Sequence, residues 1–138
     1  MSYESIRLDI VPAIEAAKVG FSLGYGLVIE YDNVIIVDTK TQTDPFLSVE
    51  IKLLTGDQAA LATSPEKRVW GSLVLAAAVP EGSGTSKAFK LLDWFVPALQ
   101  RKEFGKVRTQ MGTYGPKRPH LGWVYYPAVI PFWSDQPS

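Results

Sequence analysis

His120 is the single histidine of the chain, and the chain has no cysteine. Zinc sites usually take three or four nitrogen, sulfur or carboxylate ligands, so this inventory argues against one. It also excludes thiol catalysis and a disulfide framework. His120 stands in Lys117-Arg118-Pro119-His120 and reads as a loop residue near an interface. Paired carboxylates could support hydrolysis, and the candidates are Asp32 with Asp38, or Glu50 with a partner across a sheet. Glu50 has Lys52 two residues on, so a cross-strand ion pair on an outward face is the simpler account. Asp38 and Asp44 are isolated, and Asp32 beside Asn33 lacks the spacing of a calcium loop. Glu81-Gly82-Ser83-Gly84-Thr85 is neither a nucleophile elbow nor a phosphate loop, and it precedes a predicted helix. Gly20, Gly24 and Gly26 lack dinucleotide-binding spacing. The expectation is a protein without catalysis, metal or cofactor.

Binding chemistry has more to offer. Arg101, Lys102, Lys106, Arg108, Lys117, Arg118 and His120 gather in the last third of the chain, among Tyr114, Trp123, Tyr125 and Tyr126. Cations interleaved with aromatics can bind a single nucleic-acid strand or an acidic protein surface. Fourteen basic residues balance fourteen acidic ones, for a net charge of zero. Phosphate binding needs an excess of positive charge, so an acidic protein partner is favoured over nucleic acid. Zero net charge also lowers the electrostatic barrier to self-association.

These residues must be positioned by one domain. At 138 residues the chain is long enough to bury a core without staples. No run is long enough to span a membrane as a helix, and Met1 to Ile10 has no signal-peptide pattern. A soluble protein made in the cytoplasm is expected.

Ile6, Ile10, Ile14 and Ala17 recur at helical spacing, widened by Val11 and Ala13, with Gly20 as a stop. Pro12 predicts a helix in two parts, or one beginning at the proline. Val34 to Val37 reads as a short strand and Thr39 to Pro45 as a loop. Phe46 to Leu54 alternates, with Leu47, Val49, Ile51 and Leu53 facing the core. Gln58 to Thr63 is a further short-strand candidate. Arg68 to Val79 is a strand apolar on both faces, expected to be covered by helices on one and by a loop or neighbouring subunit on the other. After the breaker Pro80 to Gly84, Ala88, Leu91, Leu92, Phe95 and Leu99 form a helical stripe that Pro97 should end or bend. Phe104 to Thr109 reads as a strand and Gly112 to Pro119 as a polar loop. The last strand runs from about Leu121 to Phe132, with Pro127 implying an edge position or a bulge. From about Ser134 a disordered tail is expected. This order predicts a single α+β domain over residues 1–138, an antiparallel or mixed β-sheet with two main helices packed on one face.

The layout resembles the small tail-terminator and minor tail proteins of long-tailed bacteriophages. The resemblance rests on several stretches: the Met1-Ser2-Tyr3-Glu4 start before a helix, Thr43-Asp44-Pro45-Phe46 leading into Leu47, Val49 and Ile51, and the Arg68 to Val79 strand. Pro80 to Gly84 with its following helix, Phe104 to Val107, and the closing strand near Pro131-Phe132-Trp133 complete it. The stretch Phe21 to Val37 is longer than the family layout. The resemblance implies a structural virion protein of the tail, assembled in the host cytoplasm. Its subunits would form a homo-oligomeric ring, typically a hexamer, that ends polymerisation of the tail tube protein and meets the head–tail connector protein. It implies no enzyme activity, no cofactor and no membrane partner. Charged loops and spare aromatics would then serve as interface, and the candidates are Asp38, Lys40, Asp44, Trp70, Arg108, Lys117, Arg118, His120, Trp123 and Tyr125. A head–tail connector or neck protein, or another minor tail protein, is the alternative within virion assembly. A small nucleic-acid-binding module and a carboxylate hydrolase are the alternatives outside it.

Overall fold

The computed structural model describes residues 3–21, 26–31, 42, 44–53, 66–82 and 85–137. Helix α1 spans Tyr3–Val19 and helix α2 spans Ser86–Leu99. The strands are β1 (Ile29–Tyr31), β2 (Phe46–Leu53), β3 (Glu66–Pro80), β4 (Glu103–Phe104), β5 (Val107–Thr109), β6 (Thr113–Tyr114), β7 (Arg118–His120) and β8 (Trp123–Pro137). They form one mixed sheet in the order β1-β2-β3-β8-β5-β4, with β6 and β7 also paired to β8. Among the described strands, β1 with β2 is parallel and the other pairs are antiparallel. The α+β architecture, with two helices on one face of a curled sheet, is as the sequence predicts.

Period-2 alternation divides each long strand between two environments. Leu47, Val49 and Ile51 of β2, Leu73, Leu75 and Ala77 of β3, and Ala128, Ile130 and Phe132 of β8 face the helices and are buried. Ile6, Ile10 and Ile14 of α1, and Ala88, Leu91, Leu92, Phe95 and Leu99 of α2, close over them. The helical stripes and the β2 and β3 core faces follow the sequence pattern.

The prolines behave otherwise than expected. Helix α1 is continuous through Pro12, which lies on its solvent side. Helix α2 runs past Pro97 to Leu99. Asp93, whose carbonyl would take the bond that Pro97 cannot donate, is exposed to water, which lowers the cost. Strand β8 is internal, not an edge, despite Pro127 and Pro131. Its inner side pairs with β3 along its length, Glu66↔Pro137 to Pro80↔Trp123. Its outer side is covered piecewise by β7 against 123–125, β6 against 128–129 and β5 against 132–134. Pro127 and Pro131 fall in the gaps between these pieces. Their carbonyls accept outward, from Gly115 N at 3.0 Å and Gln110 N at 2.8 Å. In an antiparallel strand a residue's nitrogen points to the same side as its carbonyl, so β3 loses no ladder bond to either proline.

Three further expectations are corrected. Phe104 to Thr109 is a hairpin of β4 and β5, turned by Gly105 at φ +59. Its turn is held by Asp9 of α1, which accepts from Lys106 N at 3.2 Å and occupies the space a side chain at Gly105 would need. The Gly112 to Pro119 stretch holds β6 and the start of β7. The region from Ser134 continues β8 to Pro137 instead of forming a disordered tail. Ser134 is fully buried between register partners Val69 and Val107, so pairing on both sides overrides its polar composition. The short strands expected at Val34 to Val37 and Gln58 to Thr63 lie outside the described residues.

The helix layer is tied together by directed polar bonds. Trp94 Nε1 donates to the Ala17 carbonyl at 2.8 Å, linking α2 to the end of α1. The Thr109 hydroxyl donates to Leu99 O at 2.5 Å and accepts from Lys102 N at 2.9 Å, joining the end of α2 to β5.

Candidate functional site

Among the described residues, the opposite face of the sheet carries no helix. Register shows which side chains meet there. One row crosses the strands as Phe46–Ala78–Tyr125–Arg118, the next as Ser48–Ala76–Pro127, and a third as Glu50–Val74–Val129–Thr113. At the far end Trp70, Trp133 and Arg108 share a row. The β7–β8 turn, Leu121 at φ 49 and Gly122 at φ 83, has the doubly left-handed backbone of a two-residue hairpin. That turn sets His120 opposite Trp123 and Arg118 opposite Tyr125.

Small residues in the middle of β3 let larger ones meet across it. With only Ala78 between them, the Phe46 ring lies 6.1 Å from Tyr125 and 5.1 Å from Trp123, both edge-on. Phe46, Ala78 and Trp123 are buried as a second, small apolar cluster. Beside it lies a groove of about 410 Å³, floored by Val74 and Ala76. Glu50 and Lys52 line one wall, and Arg118, His120 and Tyr125 the other. Burial, and then the charge of Glu30 on the first strand, push the Tyr125 phenol above its ordinary value near 10.

The far end is built differently. The Arg68 guanidinium carbon lies 3.9 Å from the centroid of the Trp133 ring, and that of Arg108 lies 5.3 Å from it. Trp70 packs beside them, 6.4 Å from Trp133. Arg108 also pairs with Glu103 at 3.5 Å.

Six of the predicted interface residues therefore share the helix-free face: Trp70, Arg108, Arg118, His120, Trp123 and Tyr125. Lys117 lies elsewhere, lining a recess of about 500 Å³ with Val79, Glu81, Thr85 and Tyr126 on the helix side. Asp44 precedes β2, where its carbonyl accepts from Gln42 Nε2 at 3.0 Å. Asp38 and Lys40 lie outside the described residues. Arg68 and Trp133 were not among the sequence candidates. Arg68 already begins the predicted β3 strand, two residues before Trp70 on the same alternating face, and extending the last strand by one residue past Phe132 would have put Trp133 there as well.

Among the described residues, no group of three or more histidines and carboxylates is placed to hold a metal ion. The face offers apolar contact, aromatic edges and guanidinium donors, which is the chemistry of an interface.

No family model and no curated protein matches the chain. Among solved structures, one similar to it is of a protein whose name describes no activity. The match has a TM-score of 0.67 and 14% identity, covering 99% of this chain and 96% of that one. At that identity the likeness speaks for a shared fold over the whole domain.

Proposed function

We propose that the protein is a structural subunit that assembles with copies of itself into a closed ring, and that this ring caps a phage tail tube and joins it to the head. The observation that carries the reading is the helix-free face. Across it, Trp70, Val74, Ala76, Pro127, Val129 and Trp133 are half-buried with no element packed over them among the described residues. A sheet usually buries its apolar faces against a second layer, and another subunit supplies that layer here.

Ring closure needs two unlike surfaces on each subunit. The second is available on the helix side, where Leu8, Val19, Phe89 and Trp94 are exposed apolar residues of α1 and α2. A two-layer unit with apolar surface on both sides suits head-to-tail contact. The tail-terminator resemblance supplies the biological setting and the sixfold number.

The nucleic-acid reading draws less support. The Trp133 ring is already covered by Arg68, which makes it a poorer platform for a base, and the net charge of zero gives phosphate little attraction. Negative-stain electron microscopy of the purified chain tests the proposal. Class averages should show closed rings with sixfold symmetry, and a field of compact single particles at all concentrations would refute it.

A further inference from the structure

We infer that the groove on the helix-free face holds the outer ridge of α2 from a second copy of the chain. The inference rests on reading this face as an assembly surface. It names the contact and does not depend on sixfold closure.

The ridge comes first. At about 100° per residue, Phe89, Asp93 and Lys90 fall within roughly 100° of arc on the side of α2 away from the core. All three are exposed. The Phe89 ring is 49% exposed, and Tyr126 meets it edge-on at 5.6 Å, which steadies one side and leaves the other to a partner. A side chain ordered before contact costs little to bury. Trp94, the other exposed aromatic of α2, is committed within the chain, with its N–H on Ala17 O and its ring against Phe21 at 5.9 Å.

The groove matches this ridge in width, floor and charge. Its walls stand on β2 and β7, with β3 and β8 between them. At about 4.8 Å per strand the walls are roughly 14 Å apart, room for a helix about 10–12 Å across. The floor of Val74, Ala76 and Pro127 is apolar and half-buried. Glu50 stands on one wall and Arg118 on the other. Among the described residues neither is held in an ion pair, and the same is true of Lys90 and Asp93.

With α2 laid along β3, Phe89 settles at Val74 and Lys90 leans towards Glu50, the register partner of Val74. Asp93, one turn further on, comes within reach of Arg118, which stands opposite Tyr125. Each charge then meets its opposite around a buried aromatic anchor, the pattern of a helix seated in a groove. Reversing the helix turns Lys90 towards Arg118 and His120, and like charges disfavour that direction. One copy gives its helix side and the other its helix-free face, the unlike pairing that head-to-tail growth needs.

Sedimentation velocity on the full chain tests the contact. Phe89→Ser should melt close to the parent and weaken self-association at least about tenfold, as loss of an aromatic anchor does. Glu50→Lys and Lys90→Glu should each weaken it by about tenfold, through like charges at the contact. Both changes in one chain restore opposite charges and should return association to within about threefold of the parent. That recovery guards against loss of fold as the cause. Rings that ignore these changes, or a charge-exchanged chain that does not recover, would overturn the contact, leave the ring standing and give the groove to a different protein. Dimers or open chains that respond as expected would sink the ring and uphold the contact. A wild type that stays monomeric would sink both.

Discussion

Val74 and Leu75 are neighbours in β3, and the account requires that they behave as residues of two different environments. Leu75 is fully buried beneath the helices. Val74 is half-buried on the floor of the groove. Leu75→Ala removes buried carbon and leaves a cavity, a change that costs about 2–5 kcal/mol. Val74→Ala removes two methyl groups that are only partly shielded, for roughly 0.8 kcal/mol at half burial. An unfolding entropy of about 2.1 cal/mol/K per residue over 138 residues makes 1 kcal/mol worth roughly 3.5 °C. Leu75→Ala should thus lower Tm by about 7–17 °C, and Val74→Ala by about 3 °C. Thermal melts followed by circular dichroism on dilute protein, where assembly adds nothing, measure both. Equal losses, or the larger loss at Val74, would refute the division of β3 into a helix-covered and a helix-free face.

Other sites give equally direct expectations. Gly71→Ala should destabilise by about 1–3 kcal/mol in a urea titration, because its Cβ would lie 2.5 Å from Lys52 O and 2.6 Å from Phe132 Cζ. A wild-type midpoint would show that Phe132 does not pack over the glycine. Thr109→Val should cost about 1–3 kcal/mol by leaving Leu99 O and Lys102 N without their hydroxyl partner, and an unchanged melt would remove that link between α2 and β5. Burial, with Glu15 next, pushes the Tyr31 phenol well above its ordinary value near 10, and Tyr125 is raised in the same direction. A phenol whose pKa is raised by folding favours the folded state fully below the unfolded value, and that contribution is lost as pH climbs past it. Stability should therefore fall above about pH 10, less steeply in Tyr31→Phe; parallel pH profiles would contradict the burial of this phenol.

Much of the fold was legible because its strongest elements keep strict periods. The alternation of β2 and β3, and the stripe Ala88-Leu91-Leu92-Phe95-Leu99, are local patterns that tertiary packing reinforces. What was illegible depended on partners distant in sequence. A proline in a strand signals an edge only when its nitrogen must pair, and at Pro127 and Pro131 the outer neighbours come from three separate short strands. Strands of two or three residues such as β6 and β7 have too little pattern to stand out from a polar loop. Ser134 looked like a tail because polarity is local information, while its burial comes from β3 and β5. The site follows the same rule. Trp70, Arg108, Arg118, His120, Trp123 and Tyr125 were visible one by one as spare aromatics and cations. Their convergence on one face needs the register of β3, β5, β7 and β8, which no single stretch of sequence encodes.

The central claim is that the helix-free face is covered by another subunit. Light scattering coupled to size exclusion, run on the wild-type chain and Val74→Glu across concentration and salt, tests it most directly. The account predicts a discrete hexamer, or a monomer that becomes one on concentration, and a folded Val74→Glu that stays monomeric. A wild-type chain that remains monomeric at high concentration, or a Val74→Glu variant that assembles as the wild type does, would contradict it.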